Sequence, residues 1–235
     1  MIVCKNLSKI AGEHRILENI TFSTGTGDLV GILGPNGAGK TTTMRILSSY
    51  IKPSGGFATV GGFDVVKEAA KVRSIIGVLP ENPPLYGELT VRQYVTFMGQ
   101  LRGLSGKTLG IEVENTISRC RLSERTDSPC GVLSKGLRQK VGLAAALIGD
   151  PKVLFLDEPT SGLDPREITE IRALIRELKE GRTILFSSHI LSEVRELCDL
   201  VVMFVGGRTV LDGKISDLCK EDSLENLFLN ALSHD

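Results

Sequence analysis

Apolar residues fall along this chain in two patterns. Unbroken runs of Val, Ile, Leu and Phe recur at 28–33, in IIGVLP at 75–80, KVLFLD at 152–157, RTILFSSH at 182–189 and LVVMFV at 200–205. Runs this short and this apolar predict strands buried on both faces. Shorter β-branched segments at 2–4, 16–22 and 57–60 predict further strands between polar or Gly-containing turns. The stretches between have helical character. A helix is expected from about Gly39, another over KEAAKVR, and another over DPREITEIRALIRELKEG, with Asp164 as N-cap, Pro165 at the first helical position and Gly181 past the end. From Pro83 to Asp150 the strands stop. LTVRQYVTFMGQLRGL carries Thr90 and Gln93 at capping-box spacing, a second helix is expected over about 108–121, and a third after Ser134. The alternation then resumes, with a helix over ILSEVREL and two strands around the Gly-Gly of LVVMFVGGRTVLDG. This pattern predicts an α/β fold with a mainly parallel sheet covered on both faces, interrupted by a helical insertion.

Composition narrows the partners. With 41% hydrophobic residues in 235, the chain can build a sizeable core. Lys+Arg and Asp+Glu are both 28, and aromatics are only 5% with no Trp, so neither a strongly basic nucleic-acid surface nor a stacking platform is expected. Five cysteines without a C-x-x-C pair and only three histidines read as reduced thiols in a cytosolic compartment, not as a zinc site. No signal-peptide pattern and no run near the roughly 20 apolar residues of a membrane span occurs, so a membrane role would require a second chain.

Four stretches carry chemistry. GPNGAGKT, Gly34 to Thr41, follows a strand and opens a helix, as the phosphate loop G-x-x-x-x-G-K-S/T must. Its backbone N–H groups wrap phosphates, Lys40 reaches the β- and γ-phosphates, and the Thr41 hydroxyl can ligate Mg²⁺. VLFLDEPTSGLDP ends a buried strand in an acidic pair, where ligands bind in α/β sheets. Asp157 would hold Mg²⁺ there, and Glu158 would orient or deprotonate a water. His189 ends another buried strand and can reach the same crevice. Ser134, Lys135 and Gly136 stand at the start of a helix, an anion site by its dipole and N–H groups, with no catalytic side chain beside it.

Together these stretches resemble, in order and across most of the chain, the nucleotide-binding subunit of ABC transporters. GPNGAGKTT is similar to the Walker A motif, with Gly34, Pro35, Asn36, Gly37, Ala38, Gly39, Lys40, Thr41 and Thr42 as ATP-binding positions. VLFLDEP resembles Walker B, SGLD the D-loop, His189 the switch histidine and LSKGLRQ the signature. The resemblance implies a P-loop NTPase core with an N-terminal antiparallel β subdomain and a helical subdomain at about 84–150, within one nucleotide-binding domain of residues 1–235. It implies a head-to-tail pair, homodimer or heterodimer, in which Ser134, Lys135 and Gly136 of one chain cap ATP held by the other. Lys40, Glu158 and His189 become the catalytic set, and Thr41, Asp157 and Glu81 the positions around Mg²⁺.

Three motifs depart from the family pattern, at four positions. Lys135 replaces a glycine of the signature and Leu137 a glutamine. Glu81 stands where the Q-loop glutamine falls, and Ala11 where an aromatic stacks on adenine, leaving His14 or Ile16 to meet the base. Both LSKGLRQ and LPENPPLYGELTVRQY resemble the ABC-2-type export branch. The expected function is ATP hydrolysis that powers transport, as export, through a separate membrane-spanning subunit docked between Glu81 and about Tyr94. The expected place is the cytoplasmic face of the cell membrane, with no nucleic-acid partner. A soluble ABC-type switch without a membrane partner, and a subunit that binds ATP without hydrolysing it, are the alternatives. The C-terminal SLENLFLNAL resembles the short tail of the export branch, or is an amphipathic helix packing on its own domain.

Overall fold

The computed structural model describes residues 1–221 and 223–233. The chain opens with strands β1 (Ile2–Ala11) and β2 (His14–Thr24), then β3 (Leu29–Leu33), helix α1 (Lys40–Leu47), β4 (Gly55–Val60), β5 (Phe63–Asp64), α2 (Ala69–Ile75) and β6 (Ile76–Leu79). Three helices follow without a strand: α3 (Val91–Leu101), α4 (Gly106–Arg119) and α5 (Lys135–Leu147). The remainder alternates: β7 (Val153–Asp157), α6 (Pro165–Leu178), β8 (Thr183–Ser188), α7 (Leu191–Leu197), β9 (Leu200–Val205), β10 (Arg208–Lys214), α8 (Ile215–Glu221) and α9 (Leu224–Ser233).

Two sheets result. An antiparallel one has the order β2-β1-β4-β5, and a larger one the order β10-β9-β3-β8-β7-β6, parallel except for β10. The larger sheet explains the unbroken apolar runs. In β7, Leu154 and Leu156 face a core built with the helices, whereas Val153 and Phe155 face a second core shared with the antiparallel sheet. Ile184 and Phe186 against Leu185 in β8 divide in the same way. Side chains alternate between faces as a strand must, but both faces are dry, so every position is apolar.

The expected strand at 2–4 runs on to Ala11. Beyond Cys4 the outward positions Lys5 and Lys9 are wet or half-wet, and the β1–β2 register shifts around Asn6, whose φ of 49° marks an irregularity. Bulged, one-sided strands lose the clean alternation that makes a strand legible. The two-residue β5 and helix α8 carry too little pattern to predict.

The helices follow their end signals. Thr90 Oγ1 accepts from Gln93 N–H at 3.2 Å and Gln93 Oε1 accepts from Thr90 N–H at 2.9 Å, the reciprocal capping box expected for α3. Asp164 caps α6, accepting from Glu167 N–H at 2.8 Å, with Pro165 at the first turn. Helix α5 is Ala-rich because it is buried nearly all round, against α3, α4, α6 and β6. It touches β6 backbone to backbone: a Cβ on Gly77 would fall 2.0 Å from the Ala146 carbonyl oxygen. Helix α9 packs on α7, α8 and β9, with Leu224 fully buried, so SLENLFLNAL lies on its own domain. Among the described residues no helix is long and apolar enough to cross a membrane.

Candidate active site

Strands β3, β8 and β7 are neighbours in the parallel sheet, so the segments leaving their C-terminal ends meet at one edge. The segment after β3 is the phosphate loop. Gly34 lies flush against β9, where a Cβ would come within 2.3 Å of the Phe204 carbonyl oxygen. Gly39 has φ 97°, a left-handed conformation, and a Cβ there would sit 2.3 Å from Leu17 Cδ2. Lys40 begins α1 and folds back over the loop. Its Nζ donates to the carbonyls of Gly34 at 2.7 Å and Pro35 at 3.2 Å.

The segment after β7 brings the acids. Thr41 Oγ1 donates to Asp157 Oδ1 at 3.1 Å, and Ser187 Oγ donates to the same oxygen at 2.7 Å. Ser187 stands opposite Asp157 in the β7–β8 register. The Ser187 hydroxyl also accepts the Glu158 N–H at 2.9 Å. That bond helps hold Glu158 at φ 46°, a conformation uncommon outside glycine. The turn sends the Glu158 side chain into the crevice. Its Oε2 lies 2.9 Å from His189 Nδ1, and its Oε1 lies 3.2 Å from Lys40 Nζ, an ion pair without a formed hydrogen bond.

These groups surround a cavity of about 380 Å³ lined by Ile16, residues 36–42, Glu81, Glu158, Ser161 and His189. Asn36, Gly37, Ala38, Gly39, Lys40, Thr41 and Thr42 therefore meet there as expected, while Gly34 and Pro35 contribute through the carbonyls that hold Lys40. Glu81 lines the same cavity, its Oε1 accepting from Ser161 Oγ at 3.4 Å and its carbonyl from Gln139 Nε2 at 2.9 Å. Ile16, not His14, reaches the cavity wall.

Ser134, Lys135 and Gly136 are elsewhere. Ser134 Oγ caps α5, accepting from Leu137 N–H at 3.3 Å, and donates to Glu167 Oε1 at 3.2 Å. Gly136 lines a separate hollow of about 280 Å³ with Lys140, Asp164 and Glu167, and Lys135 one of about 290 Å³ with Glu81 and Arg138. None of the three lines the phosphate-loop cavity. A carboxylate, that of Glu167, stands at the helix tip, whereas the phosphate-loop cavity gathers Lys40, Glu158 and His189.

The oxygens of Thr41 and Asp157 suit a small hard cation. No cluster of three or more His, Cys, Asp or Glu among the described residues could hold a metal by itself. Mg²⁺ fits such a donor set, because it takes one or two protein oxygens and completes its shell with phosphate and water. Ser187, Ser161 and Gln139 lie within RTILFSSH, SGLD and LSKGLRQ, but none has a role assigned from the sequence. The only signal for Ser187 was its place two residues before His189 at the end of an apolar run.

Residues 17–161, more than half of the chain, match the family described as ABC transporter. The ABC transporter ATP-binding protein NatA of Bacillus subtilis is 40% identical over 91% of this chain and 87% of its own length. The Nod factor export ATP-binding protein I of Ralstonia nicotianae is 35% identical over 91% of this chain and 67% of its own. A solved ATP-binding subunit of an ABC transporter superposes with a TM-score of 0.87 at 30% identity, covering 98% of this chain and 99% of that one. The chain therefore belongs to the ABC transporter family, as one of its ATP-binding, ATP-hydrolysing proteins.

Proposed function

We propose that this chain works as a head-to-tail pair of nucleotide-binding domains, homodimer or heterodimer, that powers export through a separate membrane-spanning subunit at the cytoplasmic face of the membrane. The observation that carries the pair is the separation of the two half-sites. None of Ser134, Lys135 and Gly136, at a helix N-terminus suited to an anion, lines the cavity of the chain's own phosphate loop. A second chain, turned end for end, supplies each half with its complement.

In this reading the loop from Gly34 to Thr42 cradles the ATP phosphates. Lys40 is held in place by two carbonyls and paired with Glu158; an incoming γ-phosphate takes the amine and leaves the carboxylate free to orient or deprotonate water. His189 holds Glu158 through Nδ1. Thr41 and Asp157, with Glu81 at the cavity wall, would hold Mg²⁺, which when bound neutralises charge on the transferring phosphoryl group. Ser134, Lys135 and Gly136 cap the γ-phosphate of the partner's ATP. Residues 84–150 act as the helical subdomain of a single domain spanning 1–235. The membrane subunit docks beside Glu81, where Tyr86 is exposed and stacks edge-on against Tyr94 and Phe97 with ring centroids 6.2 and 5.8 Å apart. An aromatic patch beside a phosphate sensor suits a partner helix. Export is supported by the name of the Ralstonia relative.

The test is an affinity pull-down of the chain from detergent-solubilised membranes of its source. A stoichiometric partner with about six spans, each near 20 apolar residues, supports the reading. Recovery with soluble assemblies and no membrane protein refutes it.

A further inference from the structure

One buried acid lies outside every motif named above. Glu193, in the first turn of α7, is 1% exposed. Its Oε2 accepts two hydrogen bonds, from Thr160 Oγ1 at 2.9 Å and from Ser188 Oγ at 2.7 Å. Both donors are themselves buried. Thr160 lies two residues beyond Glu158 and immediately before Ser161, which lines the phosphate cavity. Ser188 immediately precedes His189, and its hydroxyl accepts the Ile190 N–H at 3.0 Å. One oxygen therefore ties together the two segments that deliver Glu158, Ser161 and His189.

The remaining partners are weaker. Glu193 Oε1 makes no hydrogen bond; the Arg172 guanidinium from α6 stands 3.5 Å away and pairs more closely with Glu196, at 2.7 Å. Here the bonds are concentrated on the oxygen that faces the two site segments.

We propose that Glu193 is a positioning residue that yokes residues 159–162 to residues 188–190, so that the Glu158–His189 contact and the Ser161–Gly162 turn are ordered together. This rests on the reading of Glu158 and His189 as the hydrolytic pair. The yoke makes the segment facing the second chain and the segment holding the base a single unit.

The test uses the full chain with Mg-ATP and the variants Glu193→Ala, Glu193→Gln, Thr160→Val and Ser188→Ala. Glu193→Ala lowers kcat by about tenfold, the size of a lost hydrogen bond to a charged group, with KM for ATP nearly unchanged. Glu193→Gln keeps an acceptor oxygen for both hydroxyls and recovers most of that loss. Thr160→Val and Ser188→Ala act non-additively on kcat with Glu193 present, and neither adds to the loss in Glu193→Ala. A merely structural role would lower Tm and leave this coupling absent. Hydrogen exchange keeps the test independent of turnover. Thr160→Val speeds exchange at the Ile190 amide, although Thr160 does not touch it. Unchanged Ile190 exchange in Thr160→Val, or kcat within twofold of wild type in Glu193→Ala, overturns the yoke. Failure of the underlying reading looks different: His189→Ala then hydrolyses ATP as fast as wild type, whatever Glu193 does.

Discussion

Two inactive variants of this chain are expected to restore each other. Glu158→Gln keeps the size of the side chain, and the amide oxygen still accepts from His189 Nδ1, now 2.9 Å away. Lys40 keeps its carbonyl acceptors on Gly34 and Pro35, so the phosphate loop holds its shape. What disappears is the base. A positioned general base contributes about 10²–10⁴-fold, so kcat falls by at least that lower figure while ATP still binds. Ser134→Ala leaves the cavity intact and removes the hydroxyl at the tip of α5, the group offered to the other chain's nucleotide. If the halves lie on different chains, a mixed pair has one site with both Glu158 and Ser134 and one site with neither. Mixing equal amounts makes half the pairs mixed, each with one of two sites intact, so activity returns to about a quarter of wild type. The chains are mixed before ATP is added, because Glu158→Gln pairs are expected to lock in ATP and elute at twice the chain mass in size exclusion. Steady-state phosphate release reads the result. Activity of the mixture no higher than the mean of its parts would refute a site shared between two copies of this chain.

Four further outcomes follow from packing and burial. Gly77→Ala forces β6 and α5 apart, since its Cβ would meet the Ala146 carbonyl at 2.0 Å; a cost of about 3 kcal/mol, the upper end for overpacking, lowers Tm by roughly 6–12 °C in a thermal melt. Burial raises the thiols of Cys4 and Cys198 and pushes Cys120 from 9.0 up to about 12, so a bulky thiol reagent labels exposed Cys219 first in the native chain. The same shifts set a pH dependence: these thiols keep their protons when folded but lose them above about 9 when unfolded, so stability falls as pH rises from there, read as a decreasing urea midpoint. Removing the Ser134 cap costs about 1 kcal/mol, a Tm change of roughly 2–4 °C, so Ser134→Ala remains folded while losing activity.

Strands β3, β7, β8 and β9 were legible because both of their faces are dry, which writes an unbroken apolar run into the sequence. Helices α3 and α6 were legible from caps that the structure forms as expected. The second half of β1 was not, because its outer face is wet and Asn6 interrupts the register. The convergence of Lys40, Thr41, Asp157, Glu158 and His189 was readable since each follows a buried parallel strand, and such ends share one edge. Ser187 was not readable. A serine near the end of an apolar run is unremarkable until the register sets it opposite Asp157. Glu193 was hidden for a related reason, since on an amphipathic helix an acid reads as a solvent position.

Strand order accounts for the division of the site. Because β8 lies between β3 and β7, Ser187 near its end can reach the acids from the middle, and His189 two residues later can meet Glu158. A sheet running β3-β7-β8 would bring Thr41 beside Asp157 but leave no hydroxyl between the loop and the acid. Helix α5 enters on different terms. It packs on β6, at the far edge of the sheet from β9 and β10, and its backbone contact at Gly77 pins it there. Its tip is held by Glu167 of α6 and, one turn on, by the bond from Gln139 to the Glu81 carbonyl. Bringing Ser134 over Lys40 of the same chain would break both contacts and separate β6 from α5. The packing that makes α5 rigid therefore also keeps Ser134 away from the phosphate loop of its own chain, and the proposed pair would join the two halves between chains.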